Sequence, residues 1–106
     1  MIYHKNVSIA TGGTYKIIDM IAGKKLTILS YSLTSIGGNS IRFKSNVNDL
    51  TSDLTFRGNS YARLSDNKSS GLSEITGLFH ANVGEDIFLS TAAKVDGTII
   101  YADEFN

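Results

Sequence analysis

Two histidines are the side chains in this 106-residue chain best suited to acid–base chemistry near neutral pH. His4 lies near the start of the chain, and His80 follows Leu78 and Phe79 at the end of a strand-like segment. Neither histidine belongs to a known nucleophile or metal-binding motif, and no serine occupies the Gly-x-Ser-x-Gly pattern of hydrolases. We therefore expect a protein that is not an enzyme and has no catalytic residues.

Four oxygen-bearing side chains within eight residues form the one candidate metal site of the sequence. Calcium prefers such ligands, but their spacing does not match an EF-hand loop, and Asn and Asp also favour turns for backbone reasons. The glycine pairs of the chain lack the Lys-Ser or Lys-Thr of a phosphate-binding loop. We therefore expect no bound metal and no cofactor. The four side chains are Asn46, Asn48, Asp49 and Asp53.

A strip of alternating side chains is the remaining candidate site. If residues 57–63 are extended, every second side chain projects from the same face, while Ala62 and Leu64 point to the core. Arg and Tyr are enriched at protein interface hot spots, although an ordinary solvated face gives the same pattern. We predict that this strip contacts another protein. Its members are Arg57, Asn59, Tyr61 and Arg63.

Short strands are the elements that must position these residues. Gly, Asn and Asp turn signals recur at short intervals, and β-branched and aromatic residues fill the segments between them. In one segment the alternation of Ile41, Arg42, Phe43 and Lys44 predicts a strand with one buried face. The sequence predicts an all-β fold, a compact antiparallel β-sandwich of about eight strands with a jelly-roll-like arrangement.

The length of the chain fits one domain with one core. We expect residues 14–106 to form the sandwich and residues 1–13 to form an N-terminal arm or an edge strand. The N-terminal segment, residues 1–13, is strand-like but ends in Gly12 and Gly13. This flexible pair would let the segment swing out and pair with a neighbouring protein.

The segment from Leu26 to Leu33 carries apolar groups on both faces of a predicted strand. Strict alternation places Leu26 and Ile28 on one face and Leu29, Tyr31 and Leu33 on the other. A small domain gains stability when such a second apolar face is buried between subunits. We therefore expect a homo-oligomer, with a trimer as the first choice, in which these last three residues lie at the interface.

The charge balance and hydropathy exclude two classes of partner. Ten Lys and Arg residues balance ten Asp and Glu residues, so there is no basic field to hold a nucleic acid. No apolar run approaches the length of a membrane span, and we expect no membrane partner. Six basic residues face one acid up to residue 48, and nine acids face four basic residues afterwards. We expect interleaved strands to mix these charges.

Several short segments carry a resemblance to a known class of protein. They are Ala22-Gly23-Lys24-Lys25-Leu26, Ser30-Tyr31, Phe43-Lys44-Ser45, Asp49-Leu50-Thr51, Gly77-Leu78-Phe79, Gly84-Glu85-Asp86-Ile87, Val95, Gly97 and Tyr101. These segments resemble those of small virion proteins from tailed bacteriophages and prophages. The resemblance implies a compact β-sandwich on the virion, made in the host cytoplasm, that binds the capsid exterior as a decoration or cement protein. Its partners would be copies of itself and the major capsid protein or another virion protein. The alternative is a tail or fibre adhesion module that recognises a host surface glycan.

Overall fold

The computed structural model describes residues 2–57, 62–67 and 78–105. Within these ranges the chain forms ten strands and no helix, so none of the described residues belongs to a helix able to cross a membrane. The strands are β1 (Ile2–Ile9), β2 (Gly13–Ile18), β3 (Lys24–Ser35), β4 (Ser40–Ser45), β5 (Asn48–Asp49), β6 (Leu54–Thr55), β7 (Ala62–Asn67), β8 (Phe79–His80), β9 (Ile87–Thr91) and β10 (Val95–Phe105).

The strands form two antiparallel sheets that pack face to face. The first has the order β1, β10, β3, β7, with β8 also paired to β3, and the second has the order β2, β9, β4, β5, with β6 also paired to β4. In the first sheet β7 and β8 share one side of β3, and in the second β5 and β6 share one side of β4, so eight strand positions are filled. This order is that of a jelly roll. The prediction of an all-β, jelly-roll-like sandwich is confirmed.

The core lies between the sheets and follows the alternation of the strands. In β4, Ile41 and Phe43 are fully enclosed while Arg42 points outward, as the sequence predicts. The ring of Phe43 packs against Tyr31 at a centroid distance of 5.4 Å and against Phe79 at 5.0 Å, and both of these residues belong to the other sheet. Phe43 therefore joins the two layers.

A bulge in β3 changes the face on which its side chains lie. Positions 28 and 30 of β3 pair with consecutive residues of β10, so Leu29 has no residue opposite it in β10. One extra residue shifts the alternation of a strand by one position. Ile28 before the bulge and Tyr31 after it consequently both face the core, with 0% and 7% of their surfaces exposed.

This bulge corrects part of the predicted subunit interface. Leu33 is 0% exposed and Tyr31 only 7%, so both are enclosed by their own chain and are not available to another subunit. Strict alternation failed because the chain inserts Leu29 between two inward-facing runs. Leu29 itself is half-buried, and it remains the one of the three predicted interface residues with surface to offer.

A buried polar cluster links the sheets near the ends of β3 and β9. The Nδ2 group of Asn39 donates to Ser35 Oγ at 2.9 Å and to Thr91 Oγ1 at 3.0 Å. Its Oδ1 atom accepts a hydrogen bond from the backbone N–H of Ala92 at 3.3 Å. Since Ser35 and Thr91 belong to different sheets, Asn39 stabilises their relative position.

Candidate functional site

The strands β1 and β2 lie side by side at one edge of the sandwich. Each stands at the end of its sheet, and among the described strands only β10 pairs with β1 and only β9 pairs with β2. An antiparallel neighbour uses the N–H and C=O groups of every second residue. Each edge strand therefore leaves alternate backbone donors and acceptors facing away from its own sheet.

A groove of about 260 Å³ separates these two edge strands. Residues 5–9 of β1 form one wall, and residues 15–17 of β2 form the other. The side chains of Val7, Ile9 and Ile17 are buried and belong to the core that underlies the groove. An apolar floor between two strand edges with free hydrogen-bonding groups suits the binding of an extended peptide segment.

The charged side chains that line the groove are both basic, Lys5 and Lys16. Lys5 pairs in register with Ile99, a core residue, so it lies on the inner face of β1, yet it is exposed because it stands at the rim. Lys16 binds Asp19 at 3.0 Å, and this hydrogen bond raises the pKa of Lys16. Lys5 forms no ion pair with any described residue, so it is the cation of the groove without a counter-charge.

The two edge strands differ in regularity. β1 pairs with β10 through eight consecutive residue pairs without a shift. The pairing of β2 with β9 is interrupted between Lys16 and Ile18. An irregular edge resists the addition of a further strand, whereas a long regular edge favours it. β1 is therefore the better of the two edges for strand addition.

A stacked pair of tyrosines holds the N-terminal half of β1 against β10. The rings of Tyr3 and Tyr101 lie 5.0 Å apart and nearly parallel, and Tyr3 Oη donates to Asp103 Oδ2 at 3.4 Å. The ammonium group of Lys24 also donates to Asp103 Oδ2, at 3.0 Å, and this contact is the main cause that lowers the Asp103 pKa to about 2. Lys24 and Asp103 come from the basic and acidic halves of the sequence, which the sheets bring together.

A close backbone contact fixes the turn between β1 and β2. A Cβ atom on Gly12 would lie 2.6 Å from the carbonyl oxygen of Ala92, so a glycine is required there. The hydroxyl of Tyr15 donates to the carbonyl oxygen of Thr11 at 2.9 Å. β1 lies at the edge of the first sheet, and its Val7 side chain is buried in the core.

The strip predicted from the sequence lies only partly within the described residues. Arg57 is exposed, two residues after β6, and Arg63 lies in β7. Asn59 and Tyr61 are outside the described residues. Leu64, which alternation predicted to face inward, does pack against the core. A protein contact through the strip stays a prediction.

The carboxylates of the candidate calcium site bind an arginine. Arg42 donates from Nε to Asp53 Oδ1 at 2.6 Å and from an Nη atom to Asp49 Oδ2 at 2.7 Å. The contact with Asp53 is the main reason that the pKa of Arg42 is raised. Asn46 has a positive φ of 53°, a turn conformation that Asn tolerates better than most residues. Asp49 and Asp53 therefore belong to an ion-pair network with Arg42, and Asn46 belongs to a turn of the second sheet.

Both histidines are exposed in strands of the first sheet. His4 lies in β1, and His80 lies in β8, where its Nδ1 atom is 3.1 Å from the carbonyl oxygen of Ala81. In the described part of the chain, no three His, Asp or Glu side chains are grouped as metal ligands. The two histidines therefore lie on different strands, and neither is part of a cluster of metal ligands among the described residues.

Lys5 and the groove are features that the sequence reasoning missed. A signal was present, because Lys5 has the same parity as Val7 and Ile9 and so belongs to the inner face of a predicted strand. A lysine on that face indicates a rim position, since a central strand does not bury an ammonium group without a partner.

Comparisons of the chain with known protein families, with curated proteins and with solved structures found no match. Within the described residues, the regular edge of β1, the groove beside it and the basic residue on its rim are the features on which a proposal of function can be based.

Proposed function

We propose that the protein is a structural protein of a tailed-phage virion that binds the capsid exterior as a decoration or cement protein. The observation that carries the proposal is the open edge of the sandwich, where β1 and β2 flank a groove of about 260 Å³. The resemblance of the sequence to small virion proteins supports the proposal that the protein is part of a virion. The open edge supports the proposed mode of binding, which is backbone pairing with a neighbouring protein.

A regular strand edge is well suited to holding neighbours together in a lattice. A strand that adds to β1 forms main-chain hydrogen bonds that depend little on side-chain identity, while the groove selects every second side chain. The edge is eight residues long and contains no proline and no shift in pairing. Natural proteins usually shorten, bend, cover or charge such an edge, and β1 carries one inward-pointing charge, Lys5, on an edge that is otherwise long and regular. Such an edge favours binding to a partner that neutralises this charge.

The sandwich behind this edge is braced at several points, as a cement protein requires. Asn39 connects the two sheets near one end, and the pair of Lys24 with Asp103 connects β3 to β10. A rigid domain loses little conformational entropy when it binds, so more of the free energy of the edge contact remains as binding affinity.

We further propose that the protein forms a homo-oligomer on the capsid, with a trimer as the expected form. Among the three apolar residues first assigned to the interface, Leu29 is the one that its own chain does not enclose. The strip containing Arg57 and Tyr61 is the second candidate for a contact. A cement protein gains from such symmetry because each oligomer then binds several neighbouring capsid subunits at once.

The number of copies per virion tests the proposed function. Particles of the phage that encodes the protein are purified, and mass spectrometry measures its amount relative to the major capsid protein. A ratio close to one supports decoration. Absence from the particle, or a few copies together with a positive glycan array and no binding to empty capsids, contradicts it in favour of another role.

A further inference from the structure

We infer that the groove between β1 and β2 receives an extended acidic segment of a partner protein, which adds to β1 as a further strand and places a carboxylate beside Lys5. The inference deepens the proposed function and rests on it, because a capsid subunit is the partner that would supply the segment. It specifies the edge that is used, the sequence pattern of the segment and the residue that selects it.

The edge used is β1 because its free backbone groups form a continuous row. Its eight register pairs with β10 run without interruption, so the alternate N–H and C=O groups on its other side are evenly placed. The edge of β2 is broken between Lys16 and Ile18, which misaligns part of that row. A strand added to β1 would lie over the groove and beside β2 without pairing to it.

The groove also specifies the side chains of the added strand. Lys5, Val7 and Ile9 alternate along the inner face of β1, so the inward side chains of an added strand would lie beside them. A carboxylate is therefore expected beside Lys5, and apolar side chains are expected beside Val7 and Ile9. The resulting pattern is one acidic and two apolar residues, each separated by one polar residue.

Charge favours a different protein over a second copy of this chain as the occupant. The eight residues that line the groove include Lys5 and Lys16 but no Asp or Glu. Lys16 is neutralised by Asp19, but two copies joined edge to edge through β1 would bring two Lys5 ammonium groups, neither with a counter-charge among the described residues, close together. Such like charges disfavour self-pairing, whereas an acidic strand supplies the missing counter-charge.

An inward-pointing lysine on an edge strand is also a known protection against any strand addition. The two roles of Lys5 differ in one measurable respect. A lysine that only protects the edge repels every extended peptide, whereas a lysine that selects its partner admits an acidic peptide and rejects a basic one.

Binding of synthetic peptides to the full chain tests the inference. The probes carry Glu-Thr-Val-Thr-Val or the reverse order, which covers both strand directions, and each has a counterpart with Lys in place of Glu. Affinity is measured by fluorescence anisotropy at low salt, and amide exchange of β1 is followed by NMR. We expect one acidic peptide to slow the exchange of alternate β1 amides and to bind about tenfold more tightly than its basic counterpart.

Two charge-reversal variants make the test specific. Lys5→Glu is expected to reverse the preference between acidic and basic peptides, and Lys5→Gln to remove it. Lys94→Glu is the matched control, because Lys94 is an exposed lysine that is paired with Asp96 and does not line the groove. It changes the net charge equally and should leave the preference intact. Melting temperatures establish that all variants fold.

The outcomes separate this inference from the proposed function. If neither acidic peptide binds β1, or if Lys94→Glu changes the preference as much as Lys5→Glu, the inference is overturned, even when the virion contains the protein in many copies. If an acidic peptide protects β1 and Lys5→Glu reverses its preference, the inference stands, even when the protein is absent from virions and the proposed function fails.

Discussion

Ile28 and Tyr31 both face the core from β3. They are three positions apart, and in a regular strand two side chains that are an odd number of positions apart point to opposite faces. The unpaired residue between them, Leu29, produces this arrangement by forming a bulge opposite β10. The bulge lets one long strand fill the core along both of its halves. It also leaves Leu29 on the outer side of the sheet, where the chain encloses it only in part.

The bulge predicts unequal costs for two leucine truncations in the same strand. Leu33→Ala should lower the free energy of unfolding by about 3 kcal/mol, because it leaves a cavity in a fully enclosed site. Leu29→Ala should cost about 1 kcal/mol or less, because its side chain is half-exposed. Urea unfolding measures both values. Equal costs would mean that the bulge does not set the alternation of β3.

The same position predicts the effect of a charge on self-association. Light scattering should show a trimer for the parent protein and a monomer for Leu29→Glu, because a charge at an apolar contact is costly to bury. Ser32→Glu, at an exposed position of the same strand, is the control and should remain trimeric. A parent protein that stays monomeric at high concentration would count against the proposed oligomer.

Part of this fold could be predicted from local pattern alone. The strand with Ile41 and Phe43 inward and Arg42 outward follows simple alternation because it contains no bulge. The faces of β3 could not be predicted in that way, because a bulge depends on the register with β10, a strand more than sixty residues later in the sequence. Alternation could identify strands and a core but not the place of each strand in its sheet.

The candidate site was less accessible to sequence reasoning than the fold. Which strands become edges depends on the strand order of both sheets, and this order is set by tertiary packing. The position of Lys5 among inward-facing residues was a usable signal, but it acquires meaning only when β1 is known to be an edge. For the strip from Arg57 to Arg63 the local alternation is clear, but the sequence does not indicate which protein the strip would contact.

The buried amide of Asn39 predicts a large loss of stability on truncation. Asn39→Ala removes two donated hydrogen bonds and one accepted bond from the buried cluster that joins the sheets. We expect a loss of about 2 kcal/mol or more in the free energy of unfolding. Asn48→Ala, at an exposed position in β5, is the matched control and should cost less than about 0.5 kcal/mol. Similar losses in both variants would contradict a bracing role for Asn39.

The low pKa of Asp103 predicts how acid affects stability. The pKa of Asp103 falls from an ordinary 3.8 to about 2 in the folded chain, and the hydrogen bond from Lys24 is the main cause. A lowered folded pKa stabilises the protein above the unfolded pKa, and this contribution disappears as the pH falls through the folded pKa. Asp103→Asn should therefore be less stable than the parent at pH 5, and the difference should shrink between about pH 4 and pH 2. Thermal unfolding across that range checks this, and a constant difference would contradict it.

The most direct test of the account is the exchange of backbone amides with and without capsids. The protein is incubated with empty capsids of the phage that we propose encodes it, and hydrogen exchange with mass spectrometry compares bound and free chains. If β1 is the contact edge, exchange in β1 slows by about tenfold or more on binding, while exchange in β5 and β6 on the far edge of the second sheet is unchanged. Unchanged exchange in β1, with protection confined to residues 57–63, would contradict it and place the contact at the strip instead.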